Sequence, residues 1–218
     1  MAALIKASKE AGFPAEIVCV ISDKPDAGGL LVAGQHNIPT RVHAPEDFAG
    51  KEAHDTAVDA TLRRFGVEIV TLAGYMRLLT QGFVERWQGR IINIHPSLLP
   101  LFRGLDTHRR ALEAGLKLHG CTVHFVTPEV DAGPIIAQAA VPVLAGDTKA
   151  TLAQRVLKAE HRLYPMALRL VAGGRARMEG ARVVLEPGLD VEATSAVIFA
   201  PELRAAAPNL EDLARFTP

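Results

Sequence analysis

Asparagine and histidine stand two positions apart in Asn93-Ile94-His95, where an apolar run through Ile91 and Ile92 meets Pro96. In an extended chain, residues i and i+2 project from the same face. Pro96 removes a backbone donor and holds His95 to extended geometry, so the strand ends there and the pair stands at its carboxyl end. A neutral imidazole can move a proton near neutral pH, and an amide can donate to developing negative charge without ionising. Asp131 lies in the tight turn Val130-Asp131-Ala132-Gly133-Pro134 between two further strands. Brought next to His95, its charge would favour the protonated ring and supply an acid. Amide, imidazole and carboxylate, with no serine or cysteine placed to attack, describe a reaction whose substrate brings its own nucleophile. The plainer alternatives are a capping asparagine, a hydrogen-bonded core histidine and an ordinary Asp turn.

Other polar residues read as structural. Ser97 lacks the flanking glycines of a nucleophile elbow and is a turn former or helix cap. His108 and His124 are not spaced as metal ligands, which assigns them structural roles or places behind the site, and His119 and His161 read as surface residues. No metal is expected. No G-x-G-x-x-G or P-loop pattern occurs, which argues against a nicotinamide or nucleoside triphosphate site.

Lys+Arg and Asp+Glu both number 24, and no basic cluster exceeds a pair, so the footprint of a nucleic-acid binder is missing. With 49% apolar and 22% charged residues, the chain reads as globular. Cys19 and Cys121 sit inside apolar runs and read as buried free thiols, in keeping with a reducing cytoplasm. No apolar stretch reaches membrane-spanning length and Lys6, Lys9 and Glu10 come too early for a signal peptide, so a soluble, cytoplasmic protein is expected.

The elements that must position these residues alternate along the chain. Strands are expected at Glu16 to Ser22, Arg41 to Ala44, Val67 to Leu72, Arg90 to Ile94, Cys121 to Thr127 and Ile135 to Val143. Helices are expected at Met1 to Ala11, Lys51 to Phe65, Thr80 to Gln88, His108 to Leu116 and Thr148 to Val171. This alternation implies an α/β fold, a mainly parallel sheet with helices on both faces and ligands beyond the carboxyl ends of the strands. After Gly173-Gly174 a hairpin should turn at Glu179-Gly180. Residues 1–188 then form one domain, and 189–218 a tail with one short helix from Asn209 to Phe216.

The segments LAGYMRLL (Leu72 to Leu79), INIHPSLLPLFRGLDTHRRALEAG (Ile92 to Gly115), GCTVHFVTPEVDAGPIIAQ (Gly120 to Gln138) and AEHRLYP (Ala159 to Pro165) resemble the phosphoribosylglycinamide formyltransferase family. They are long, ordered and correctly spaced, and weaker similarity covers most of the chain before the tail. The resemblance implies a Rossmann-like formyltransferase fold and transfer of a formyl group from the cosubstrate 10-formyltetrahydrofolate to the amine of glycinamide ribonucleotide. It implies catalytic roles for Asn93, His95 and Asp131. By the same matching, Lys51, Met76, Arg77, Leu78, Leu79, Asn93, Thr127, Pro128, Glu129, Val130 and Asp131 resemble folate contacts. Pro96, Gly104, Leu157, Lys158, Ala159 and Glu160 resemble contacts to the ribonucleotide, with Leu157 standing where many relatives carry a polar residue. The partners implied are these two small molecules, with no nucleic acid or membrane, and the chain is expected as a monomer or homodimer.

Two rivals remain open. Formyltetrahydrofolate hydrolase uses a similar Asn, His and Asp set with water as the nucleophile, and a non-catalytic relative would keep only the folate pocket. The family opens with an apolar strand and a Gly-Ser-Asn loop that binds phosphate at a helix N-terminus. In this chain Met1-Ala2-Ala3-Leu4-Ile5 resembles the helix after that loop. The expectation is a natural protein that starts upstream and, without that strand, unpaired strand edges flanking an apolar slot.

Overall fold

The computed structural model describes residues 1–189 and 200. The expected helix from Asn209 to Phe216 lies outside the described residues. Eight strands and six α-helices follow one another along the described chain. Helix α1 (Ala2–Ser8) precedes β1 (Val20–Ser22), α2 (Gly28–Gln35), β2 (Thr40–Val42), α3 (Lys51–Arg64) and β3 (Val70–Leu72). Then come α4 (Gln81–Arg86), β4 (Ile91–His95), α5 (Thr107–Glu113), β5 (Leu118–Phe125), β6 (Ile135–Pro142) and α6 (Lys149–Ala172). A hairpin of β7 (Ala176–Glu179) and β8 (Arg182–Leu185) turns at Glu179-Gly180 as expected, with Gly180 at φ 58°.

The α/β class and the parallel pairs β1–β2 and β3–β4 match the alternation in the sequence. The four-stranded sheet has the order β3-β4-β5-β6, and β5 and β6 run antiparallel to their neighbours. Hydrophobic pattern does not encode that direction, because a strand buried on both faces reads the same either way. Helix α2 was not foreseen: its start at Gly28-Gly29 carries no side-chain cap, so the usual sequence signal is missing. The strand expected from Glu16 begins only at Val20.

Strand β1 bonds β2, and β3 bonds β4, with no strand of the described residues between β1 and β3. Residues Val18 to Ser22 and Val67 to Leu72 instead line a common cleft of about 900 Å³, to which α1 contributes Leu4 and Ile5. Among the described residues, no strand bonds the facing edges of β1 and β3 across this cleft.

The main core lies between the sheet and α6. Thr148 caps that helix by accepting from the Thr151 amide while the Thr151 hydroxyl accepts from the Thr148 amide, so two otherwise unpaired donors are satisfied. Leu152, Val156, Leu163, Tyr164, Ala167 and Leu168 form its buried stripe, against Ile92, Cys121, Val123 and Phe125 of the sheet. The Tyr164 hydroxyl lies 2.8 Å from the Leu72 carbonyl and 3.0 Å from that of Ile92, tying the helix to β3 and β4 close to their carboxyl ends. Full burial holds its phenol well above the ordinary range.

Candidate active site

The antiparallel register of β4 and β5 sets Asn93 opposite His124 and His95 opposite Thr122. Directly opposed residues share a face, so these four side chains gather on one side of the sheet. On the other flank, the parallel register pairs Leu72 with Asn93, so the segment from Ala73 to Leu79 leaves β3 beside the asparagine.

His95 is 5% exposed. Its Nδ1 stands 3.3 Å from Asp131 Oδ2, and its Nε2 is 2.9 Å from the Phe102 carbonyl. Both ring nitrogens therefore face acceptors, and a doubly protonated imidazole has a hydrogen for each. Asp131 is brought there by a turn in which it adopts φ 50°, a left-handed conformation that aspartate tolerates better than most residues. Gly133 makes the turn possible: a Cβ on it would sit 1.7 Å from the Phe125 carbonyl oxygen. The second anchor on the carboxylate is the Gly104 amide, which donates to Asp131 Oδ2 at 2.9 Å.

His124 is buried beside both. Its Nδ1 is 2.9 Å from the Phe125 carbonyl, and its Nε2 lies 3.3 Å from Asn93 Nδ2 and 3.7 Å from Asp131 Oδ1. Burial lowers its pKa, an effect that the Phe125 carbonyl and Asp131 oppose and the charge of His95 reinforces.

The segment from Pro96 to Asp106 is shaped by buried polar bonds. The Thr122 hydroxyl donates to the Ser97 carbonyl at 2.7 Å and accepts from the Leu99 amide and from Gln138 Nε2, each at 3.0 Å. Ser97 donates to the Leu101 carbonyl at 2.6 Å, the turn-forming role expected of it. Phe102 and Asp106 take left-handed φ values of 54° and 57° around Gly104 at 77°. The loop thereby presents the Phe102 carbonyl to His95 and the Gly104 amide to Asp131. Phe102 carried no sequence signal, because its contribution is a backbone oxygen. His119 corrects the surface reading: it is 1% exposed and its Nε2 lies 3.2 Å from His108 Nδ1. Strand β5 is covered along nearly its whole length, so the polar residues on it are interior ones.

The other expected contacts fall around this centre. Lys51 donates to the Leu79 carbonyl at 3.1 Å, which ties the start of α3 to the segment after β3. In that segment Met76 and Leu78 are 71% and 61% exposed, while Leu79 packs against the buried cluster of Leu62, Phe83, Trp87 and Ile91. Thr127 to Val130 form the approach to Asp131, and Arg103 bridges to Glu129 at 2.7 Å. Pro96 directly follows His95. Leu157 and Lys158 are exposed on α6, while Ala159 and Glu160 are half-buried. Burial raises the Glu160 pKa, and the nearby amino group of Met1 opposes the shift. Among the described residues, no hydrogen bond joins Lys51, Met76 to Leu79 or Leu157 to Glu160 to Asn93, His95 or Asp131. Cys121 is buried and its thiol is pushed up to about 12, first by burial and then by the charge of Glu160, so it is no nucleophile.

A profile of the formyl transferase family matches residues 1–168. The chain is 51% identical over 176 residues to the trifunctional purine biosynthetic protein adenosine-3 of Gallus gallus, covering 81% of this chain and 18% of that protein. It thus spans less than a fifth of that relative's length. It is 44% identical over 176 residues to the phosphoribosylglycinamide formyltransferase of Escherichia coli strain K12, covering 81% of this chain and 83% of the relative. The crystal structure of phosphoribosylglycinamide formyltransferase from Brucella melitensis is 62% identical, with a TM-score of 0.77 over 80% of this chain and 90% of that one.

Proposed function

The chain belongs to the formyl transferase family, and from that premise we propose that it transfers the formyl group of 10-formyltetrahydrofolate to the primary amine of glycinamide ribonucleotide, a step of purine biosynthesis. The observation that carries this reading is the His95–Asp131 contact at 3.3 Å with Asn93 on the same face of β4. That trio offers hydrogen-bond donors and a proton carrier but no nucleophile, as suits a substrate amine that attacks for itself.

In the reaction the amine nitrogen forms a bond to the formyl carbon while the carbonyl π electrons move onto oxygen. Asn93 and His95 donate to that oxygen; one such donor is worth about 3–4 kcal/mol in the transition state. For His95 this requires its ring to leave the Phe102 carbonyl, which now occupies Nε2. Collapse of the tetrahedral centre breaks the bond to N10, and the proton shed by the attacking amine replaces the formyl group there. Asp131, 3.3 Å from Nδ1, orients the imidazole and relays that proton through water. The exposed Met76 and Leu78 with Arg77, Leu79 and Lys51 form one wall for the folate, and Thr127, Pro128, Glu129, Val130 and Asp131 the other. Pro96, Gly104, Leu157, Lys158, Ala159 and Glu160 face the ribonucleotide, with the Glu160 carboxylate available to its amine.

The test is mass spectrometry of the products after incubating the protein with both substrates. Formylated ribonucleotide appearing in step with tetrahydrofolate supports the transferase. Release of formate with the ribonucleotide unchanged would identify a hydrolase. Folate binding without turnover would identify a non-catalytic relative.

A further inference from the structure

Asn93 is useful to an oxyanion only if its amide nitrogen, rather than its oxygen, faces the reacting centre. An asparagine has two nearly isosteric orientations related by a half-turn, so some neighbour must choose between them. Among the described residues, only one side chain is bonded to this amide. His124 Nε2 lies 3.3 Å from Asn93 Nδ2, across the β4–β5 ladder.

The state of that imidazole follows from its other nitrogen. His124 Nδ1 is 2.9 Å from the Phe125 carbonyl, an acceptor with nothing to donate, so Nδ1 must carry the hydrogen. His124 is 2% exposed, and burial favours its neutral form. A neutral ring protonated at Nδ1 leaves a lone pair on Nε2. That lone pair accepts from one N–H of Asn93 and turns the amide nitrogen toward β5. Asp131 Oδ1, at 3.7 Å from Nε2, is beyond hydrogen-bond reach and does not compete. The second Asn93 N–H remains free for another acceptor.

We infer that His124 is a positioning residue for formyl transfer: its Nε2 lone pair selects the Asn93 orientation in which an amide hydrogen is available to the oxyanion. A ring protonated at Nε2 would instead present a hydrogen to Asn93, draw Oδ1 toward itself and swing the amide nitrogen to the opposite side. The antiparallel turn of β5 is what makes this possible, because it sets the imidazole directly opposite the amide. A register shift immediately beside His124, where β6 passes from Ala137 to Ile135, marks the irregularity that accompanies this placement.

The inference rests on the transferase reading for its catalytic consequence, but its structural half is measured without turnover. A long-range proton–nitrogen correlation spectrum of histidine-labelled protein at neutral pH reads the tautomer directly. A His124 signal with its hydrogen on Nδ1 is expected, and one with hydrogen on Nε2 would overturn the inference. For the catalytic half, His124→Phe keeps the ring volume and removes the lone pair, whereas His124→Gln offers a side-chain oxygen near the same place. The expected result is a kcat lowered about tenfold or more in the phenylalanine variant, part of the loss from deleting an oxyanion donor. Both KM values should stay within about twofold, and the glutamine variant should recover most of the rate. Equal rates in the two variants, or a change confined to KM, would reduce His124 to packing. Absence of formyl transfer by the unaltered protein would instead defeat the functional reading while leaving the tautomer result standing.

Discussion

The carboxylate of Asp131 and the imidazole of His95 meet at 3.3 Å, although one ends a strand and the other sits in a turn beyond the next strand. Asp131 is also gripped by the Gly104 amide at 2.9 Å, so the contact is part of a fixed arrangement and not a passing surface pair. A half-buried carboxylate on one ring nitrogen and a carbonyl on the other set the orientation of the imidazole before substrate binds.

If the pair works as a unit, each half is needed. His95→Ala and Asp131→Asn should each lower kcat at least about a hundredfold, the lower end of what acid–base catalysis contributes. Binding of a folate analogue, followed by calorimetry, should change little in His95→Ala. Near-normal turnover in one variant would remove that residue from the chemistry.

The turn that delivers Asp131 depends on the missing side chain of Gly133. Gly133→Ala would drive a methyl group to within 1.7 Å of the Phe125 carbonyl, where the obstacle is backbone and cannot swing aside. A loss of about 1–3 kcal/mol in unfolding free energy is expected, typical of overpacking, together with lost activity. Urea denaturation and the transfer assay measure the two separately.

Thr122 should matter to stability more than a single hydroxyl usually does. Thr122→Val preserves shape but strips partners from the Ser97 carbonyl, the Leu99 amide and Gln138. Buried groups left unsatisfied cost about 1–3 kcal/mol each, so a drop of about 3 kcal/mol is expected by the same denaturation experiment.

Buried and half-buried imidazoles make the fold sensitive to mild acid. Burial lowers the pKa of His43, His108 and His124, and it brings that of His119 down to about 4. Each is thus neutral in the folded chain at pH values where the unfolded chain binds a proton. Stability from these groups is complete above an unfolded pKa of about 6.5 and declines as pH falls toward 4, where His119 begins to charge in place. The melting temperature should fall steadily between pH 7 and pH 4.5, and His119→Asn should flatten the slope. A melting temperature constant over that range would contradict the picture.

Much of this was legible along the chain. The apolar run, the Asn-x-His spacing and the proline that follows dictate a strand ending in two polar side chains on one face, because strand periodicity and proline geometry are local. The same holds for the long helix opened by Thr148, the hairpin at Glu179-Gly180, and the family, which rests on ordered motifs. Other features depend on neighbours distant in sequence. Local pattern is silent on the antiparallel course of β5 and β6, and that course sets His124 against Asn93. It also buries His119, whose flanking residues Leu118 and Gly120 give no sign of an interior site. The Phe102 carbonyl reaches His95 only through a left-handed backbone, which side-chain identity does not announce. Residue type and spacing thus determined which groups could do chemistry, since those follow from covalent structure and local dihedral preference. Which groups meet was decided by strand pairing and packing against α6, because contact between remote residues is a property of the whole sheet.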